Sequence, residues 1–220
     1  MLDFATARRM MVDGQVRPND VTDPRIISAF LSVPRERFVP PGREGIAYLD
    51  LDVPVTTGAP QRCLLKPMVL AKFLQIAEVG PADRVLDVGV ATGYSSAVLS
   101  HAAASVVGLE LDPALARRAA ETVREVASAS VEIVQGPLEA GWAARAPYDA
   151  IVVNGAIEEL PQALCDQLRD GGRLICVLGA GPASKAMLYR KDGLEMSGRP
   201  VFDAAAASLP GFAKVPSFAF

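Results

Sequence analysis

Apolar residues recur along this chain with two different periods, and the change of period divides it. Through the first 80 residues the spacing is helical. Asp23-Pro24 reads as a helix start, with Asp as cap and Pro at the first helical position. Ile26, Ile27, Phe30 and Leu31 then form one apolar face until Val33-Pro34 stops the helix. A loop rich in Pro and Gly runs from Pro40 to Pro60, and another helix opens at Pro67 with Val69, Phe73 and Ile76 as its buried stripe. From residue 84 short apolar runs alternate with helical patterns. VLDVG (85–89), SVVGLE (105–110), VEIVQ (131–135), DAIVVN (149–154) and RLICVLG (173–179) predict strands. SSAVLSHAA predicts a helix after the first, and Asp112-Pro113 opens one after the second, with Leu115, Ala119, Val123 and Val126 facing inward. The last two strands are nearly continuous apolar runs, as strands covered on both faces must be.

Alternation of this kind predicts an α/β fold with a doubly wound, mostly parallel sheet beneath an N-terminal helical layer, and ligand sites at the carboxyl ends of the strands. The tail, with MLYRK, PVFDAA and VPSFAF, suits closing antiparallel or edge strands. The expected organisation is one domain over 1–220, made of a helical layer and loop (1–80), a ligand-binding core (81–180) and closing strands (181–220).

Half of the 220 residues are apolar and 21% are charged, which reads as globular. A net charge of −3 argues against a nucleic-acid surface, and the cationic pairs Arg8-Arg9, Arg117-Arg118 and Arg190-Lys191 read as solvated faces. No segment resembles a signal peptide or a membrane span. Cys63, Cys165 and Cys176 lack metal-ligand spacing, so the expectation is a reduced, cytoplasmic protein without a metal. His101 is the single histidine and reads as structural, which sets aside a zinc site or a Ser-His-Asp hydrolase. Trp142, after Gly141 in a loop, reads as packing.

The chemistry concentrates in RVLDVGVATGYSSAVL, 84–99. A buried strand runs into Asp87, then Gly89, then a short loop with Gly93 that opens a helix. Glycine at 89 lets the backbone approach a ligand closely. Glu110, at the end of the next strand, is placed to accept both hydroxyls of a ribose. The dinucleotide spacing G-x-G-x-x-G is not met, and Asp87 would repel a pyrophosphate. S-adenosyl-L-methionine (AdoMet) has no phosphate and a cationic sulfonium and ammonium, which a carboxylate attracts. AdoMet is therefore the expected cofactor, with a nicotinamide cofactor or a glycine turn without ligand as alternatives.

With those residues in view, the chain resembles the protein-L-isoaspartate O-methyltransferase family over nearly its whole length. The matching segments are VPRERFVP (33–40), AYLDLDVPV (47–55), KPMVLAKFLQ (66–75), VLDVGVATGYSSAVL (85–99), APYDAIVVNGA (146–156) and QLRDGGRLICVLG (167–179). The resemblance implies a Rossmann-like AdoMet-dependent methyltransferase that methylates isoaspartyl carboxylates of damaged proteins. It implies that Asp87, Gly89, Gly93, Tyr94 and Glu110 line the cofactor pocket. A carboxylate acceptor is already ionised at neutral pH and needs no general base, so no catalytic residue is nominated. Three departures stand out. The family's Thr-Ile-Ser before the proline matching Pro67 is Cys63-Leu64-Leu65, so Leu65 replaces a serine hydroxyl beside the acceptor. The middle glycine of the loop is Ala91, a mild change if its φ is negative. A Gly-Asp pair that holds the adenine in relatives is Gly136-Pro137. Asn154 ends the fourth strand, where it either bonds a substrate or caps a turn. The departures keep open a different carboxylate or small-molecule acceptor, or a non-catalytic AdoMet-binding or partner-binding role.

Overall fold

A computed structural model describes residues 3–58, 61–127, 130–179 and 181–214. Helix α1 (Phe4–Met11) is capped by Asp3, whose side chain accepts from the Thr6 amide, and α2 (Pro24–Ser32) by Asp23, which accepts from the Arg25 amide. A two-stranded antiparallel ribbon, β1 (Val53–Pro54) and β2 (Cys63–Leu64), precedes α3 (Pro67–Ile76). The main sheet then begins: β3 (Arg84–Val88), α4 (Tyr94–Leu99), β4 (Ser105–Glu110), α5 (Pro113–Val126) and β5 (Ser130–Gln135). Next come β6 (Tyr148–Ile157), α6 (Gln162–Asp166), β7 (Leu168–Leu178) and the hairpin β8 (Lys185–Asp192) and β9 (Glu195–Asp203).

The sheet order is β5-β4-β3-β6-β7-β8-β9, parallel from β5 to β7 and antiparallel at β8 and β9. The chain leaves β3 towards β4 and later returns to β6 on its other side, so a crevice opens at the carboxyl ends of β3 and β6. Strand alternation sends Val85, Val106, Val152 and Ile175 to one face, where α1 to α5 bury Met11, Phe30, Phe73, Val98 and Leu115. The opposite face carries Leu86, Val88, Leu109, Val153 and Leu174. It is covered by the short α6 and by non-helical stretches that supply Leu138, Leu209 and Phe212.

Most of the predicted helices and strands form, with particular differences: the helix predicted over SSAVLSHAA ends at Leu99, and residues 100–102 are turn. Strand β6 runs past Asn154 to Ile157, because β7 pairs with Ala156 and Ile157 and residues 207–209 bridge the other side: the Ala156 amide donates to the Ala207 carbonyl and the Leu209 amide to the Ala156 carbonyl, each at 2.9 Å. Ile76 and Val126 are only partly buried. The segments MLYRK and PVF lie in β8 and β9, whereas VPSFAF falls outside the described residues. The three cationic pairs are not plain solvated faces. Arg8 bonds Glu36 and Tyr48, Arg118 donates to the Val39 carbonyl, and Lys191 donates to the Cys165 and Leu168 carbonyls. Among the described residues no helix is long and apolar enough to cross a membrane.

Gly93 carries the turn into α4. Its φ is +93°, and a Cβ there would lie 2.8 Å from Val123 Cγ2 on α5. Gly93→Ala therefore combines backbone strain with a clash against α5. It should lower the unfolding free energy by about 1–3 kcal/mol, read from urea denaturation. An unchanged midpoint would mean that α4 and α5 are not pressed together here.

Candidate cofactor site

Asp87 ends β3 on the face that receives α4, and its side chain is fully buried. Its Oδ2 accepts from Ser95 Oγ at 2.7 Å and Ser96 Oγ at 2.6 Å, both in the first turn of α4. Its Oδ1 accepts from Asn154 Nδ2 at 2.6 Å, which joins β3 to β6. All three donors are neutral. Burial outweighs these bonds and pushes the Asp87 carboxyl up to about 6 from an ordinary 3.8. At neutral pH the group is still mostly ionised, without a cation bonded to it among the described residues.

Asn154 thus neither caps a turn nor reaches outward through its amide nitrogen; that nitrogen donates to Asp87 and, at 3.2 Å, to the Val88 carbonyl. Its Oδ1 is buried and has no hydrogen-bond partner. It borders a cavity of about 10 Å³ shared with Leu65, Gly89, Val90 and Tyr94, room for no more than a single water. Leu65 is buried there, and its carbonyl accepts from Arg35 Nη2 at 2.8 Å. Tyr94 points into the helical layer, edge-on to Phe38 and Phe30, with the Arg35 guanidinium 4.5 Å from its ring centre. Gly93 faces α5 rather than the cavity. His101 follows α4, at the end of that helix away from the glycine loop.

The loop over Asp87 departs from the sequence expectation at one point. Ala91 has φ +53°, in the left-handed region, so the alanine is strained where a glycine would not be. The strain is held by a hydrogen bond: the Ala91 amide donates to Glu110 Oε2 at 2.7 Å. Glu110 closes β4 fully buried, with its pKa raised by that burial against the opposing charge of Arg62. Its Oε1 accepts from the Leu111 and Asp112 amides at 2.9 and 3.1 Å, and its Oε2 also accepts from Arg62 Nη2 at 2.9 Å. A carboxylate offers roughly four acceptor positions, and these four donors fill them.

Arg62 and Leu209 are the site residues that sequence reasoning missed. Arg62 lies just before β2, in a loop whose pattern marks no position as special. Leu209 sits before Pro210-Gly211, which signals a turn and nothing about a distant site. A Cβ built on Gly89 would lie 3.1 Å from Leu209 Cδ2 and 3.2 Å from Arg62 Nη2; one on Gly155 would lie 2.6 Å from Leu209 Cγ. The space above the glycine loop is therefore filled by this chain's own side chains. Ser95 and Ser96 carried a readable signal, as paired hydroxyls in the first turn of the helix that follows Asp87. At the third departure, the Gly136 amide donates to the Glu110 carbonyl, and Leu138 and the half-buried Trp142 pack in the same apolar cluster as Phe212.

The residues fit an AdoMet-type ligand in kind and not in room. A glycine loop between two buried carboxylates suits a cationic nucleoside. Small-molecule pockets usually span about 300–1,000 Å³, far more than the cavity at the loop. A groove of about 460 Å³ does open nearby, lined by Arg62 and Glu110 together with Thr56, Leu111, Pro113 and Pro210, so the room lies on the outer side of that pair and not over the glycine loop.

Comparisons with known proteins converge. The family described as protein-L-isoaspartate(D-aspartate) O-methyltransferase matches residues 7–203. Protein-L-isoaspartate O-methyltransferase 2 of Anaeromyxobacter sp. (strain Fw109-5) is 40% identical over 83% of this chain and 73% of its own length. The protein-L-isoaspartate O-methyltransferase of Methanoregula boonei is 35% identical over 84% of each. Among solved structures, a protein-L-isoaspartate O-methyltransferase superposes with a TM-score of 0.83 at 25% identity, covering 93% of this chain and 66% of that one. The beta-aspartate methyltransferase (PCMT) of Plasmodium falciparum, in complex with S-adenosyl-L-homocysteine, has the same fold, with a TM-score of 0.75 at 20% identity over 95% of this chain and 99% of that one.

The buried carboxylate makes a testable demand on stability. A raised pKa means that the folded chain holds the Asp87 proton more tightly than the unfolded chain. Stability therefore falls as pH rises from about 4 to about 6, and the full cost, about 3 kcal/mol, persists above that window. Asp87→Asn cannot ionise, so its unfolding free energy should lack this loss. Urea denaturation of both proteins at about pH 4 and about pH 7 reads the difference, and parallel pH dependence would contradict a raised Asp87 pKa.

Proposed function

This chain belongs to the protein-L-isoaspartate(D-aspartate) O-methyltransferase family, and from that premise we propose that it methylates isoaspartyl carboxylates of damaged proteins with AdoMet as donor. The observation that carries the reading is the glycine loop held between two buried carboxylates, Asp87 and Glu110, one of them with no cation bonded to it. AdoMet supplies a methyl group on a cationic sulfur. In the proposed site Gly89 gives the backbone approach, with Gly93 and Tyr94 fixing the loop and the start of α4. Glu110 receives a ribose hydroxyl in place of Arg62, and Asp87 provides a field of the right sign while holding Asn154 in place. Isolated buried charge is costly, and a cationic ligand above the loop would offset that cost.

On the acceptor side Leu64 and Leu65 exclude water, and the unpartnered Asn154 Oδ1 is available to an N–H of a bound peptide. The attacking carboxylate needs alignment rather than deprotonation. The proposal sets the protein in the cytoplasm, which suits three free cysteines. A second reading, a different carboxylate or small-molecule acceptor, is favoured by Leu65, since an apolar side chain cannot bond the attacking oxygen.

The test is labelled-methyl incorporation into an isoaspartyl peptide at saturating AdoMet, for wild type and Leu65→Ser. Wild-type turnover should be weak, and the restored hydroxyl should raise it about tenfold, in the range that a missing substrate hydrogen bond costs. No turnover by either protein, with AdoMet bound, would overturn the isoaspartyl assignment and leave the second reading.

A further inference from the structure

We propose that residues 207–212 and Arg62 form a built-in plug that occupies the cofactor groove and must be displaced before AdoMet binds. The proposal rests on the AdoMet reading above. Its starting point is that the protein itself fills the inner end of the groove, over the glycine loop and on Glu110, while the outer part stays open.

The first closure is steric. After β9 the chain continues through Ala204-Ala205-Ala206-Ala207, which belongs to no helix or strand, and then lies along the end of β6. The Ala156–Ser208 bridge and its two backbone hydrogen bonds hold it there, helped by the Glu158 amide donating to the Phe212 carbonyl at 3.2 Å. In this register Leu209 is directed between Gly89 and Gly155, and it is 93% buried, by its 7% exposure. Both glycines lack the side chain that would otherwise fill that space, and Leu209 fills it instead.

The second closure is electrostatic. Three of the four donors on Glu110 are backbone amides of its own loops, fixed by the fold. The fourth, Arg62, comes from a separate segment, and its side chain is 6% exposed against 0% for Glu110. A ribose hydroxyl can bond Glu110 only where Arg62 now does. Arg62 therefore competes with the ribose, as Leu209 competes with the group above Gly89.

The match to protein-L-isoaspartate(D-aspartate) O-methyltransferases ends at residue 203, just before the alanine run. The glycine loop and both carboxylates lie inside the matched span and the occluding leucine lies outside it. A ligand that binds a minor, open form shows an apparent affinity reduced by the fraction open. The plug is thus an autoinhibitory contact, and small residues on its tether allow it to swing away from β6.

Calorimetric titration of the full chain with S-adenosyl-L-homocysteine tests this. Leu209→Ala and Arg62→Gln should each bind it at least about tenfold more tightly than wild type, because each removes one competitor. A locked form completes the test: A156C with S208C places two cysteines at paired positions of neighbouring strands, within disulfide range. Oxidation should abolish binding, and reduction should restore it. Equal affinity of wild type, Leu209→Ala and Arg62→Gln would overturn the plug, as would equal affinity of the oxidised and reduced locked form. Absence of binding by every form, reduced ones included, would overturn the AdoMet reading itself, and the plug with it.

Discussion

One buried carboxylate joins the pieces from which the site is made. Asp87 ends β3, takes two hydroxyl bonds from the first turn of α4 and one amide bond from the end of β6. These are the elements that flank the crevice created where the sheet reverses its strand order. Removing an ionised side chain from water is costly, and neutral donors repay only part of that cost. Ser95, Ser96 and Asn154 are the minimum that keeps Asp87 bonded, and they leave its charge uncompensated. The fold therefore stores a demand for positive charge directly under the glycine loop.

The demand has a neighbour of opposite character. Glu110, the second buried carboxylate, already has its cation in Arg62 and its full set of donors. The two groups sit at the tips of adjacent parallel strands, yet one is bonded only to neutral groups and the other is saturated. Leu209 lies above the loop they share, contributed by a segment that bridges to the end of β6 at Ala156. Around the loop, Asp87 lacks a bonded cation among the described residues, and Asn154 Oδ1, Tyr94 Oη and Arg35 Nη1 are buried without a hydrogen-bond partner. Asn154 and Tyr94 line the same small cavity as Leu65.

The parts of the fold that local chemistry determines were legible in the chain. Asp23-Pro24 and Asp112-Pro113 begin helices because an aspartate caps its own following amides and proline suits the first helical position. SVVGLE is β4 from end to end. The glycine loop, Asp87 and Glu110 were legible too, since a strand, a turn and a helix in that order require little from elsewhere. What escaped depends on distant partners. Strand β6 reaches Ile157 because β7 pairs with it to the end, with residues 207–209 bridging its other side. Ala91 tolerates a positive φ because its amide is held by Glu110. Arg62 and Leu209 are ordinary residues in loops whose importance arises from where the chain returns in space. The side-chain pairs expected to be solvated were likewise captured by carbonyls and acids of remote segments.

The central claim is that this groove is AdoMet-type and is held shut by the chain's own C-terminal segment. Hydrogen exchange at two amides addresses it most directly: Ala156, which donates to Ala207, and Leu209, which donates to Ala156. In the free protein both should be protected. With S-adenosyl-L-homocysteine at saturation, protection at Leu209 should fall sharply as the segment leaves β6, while amides of the loop, such as Ala91, become more protected. Saturated binding with protection at both Ala156 and Leu209 unchanged would contradict the account, because the ligand would then occupy a groove from which nothing had been displaced.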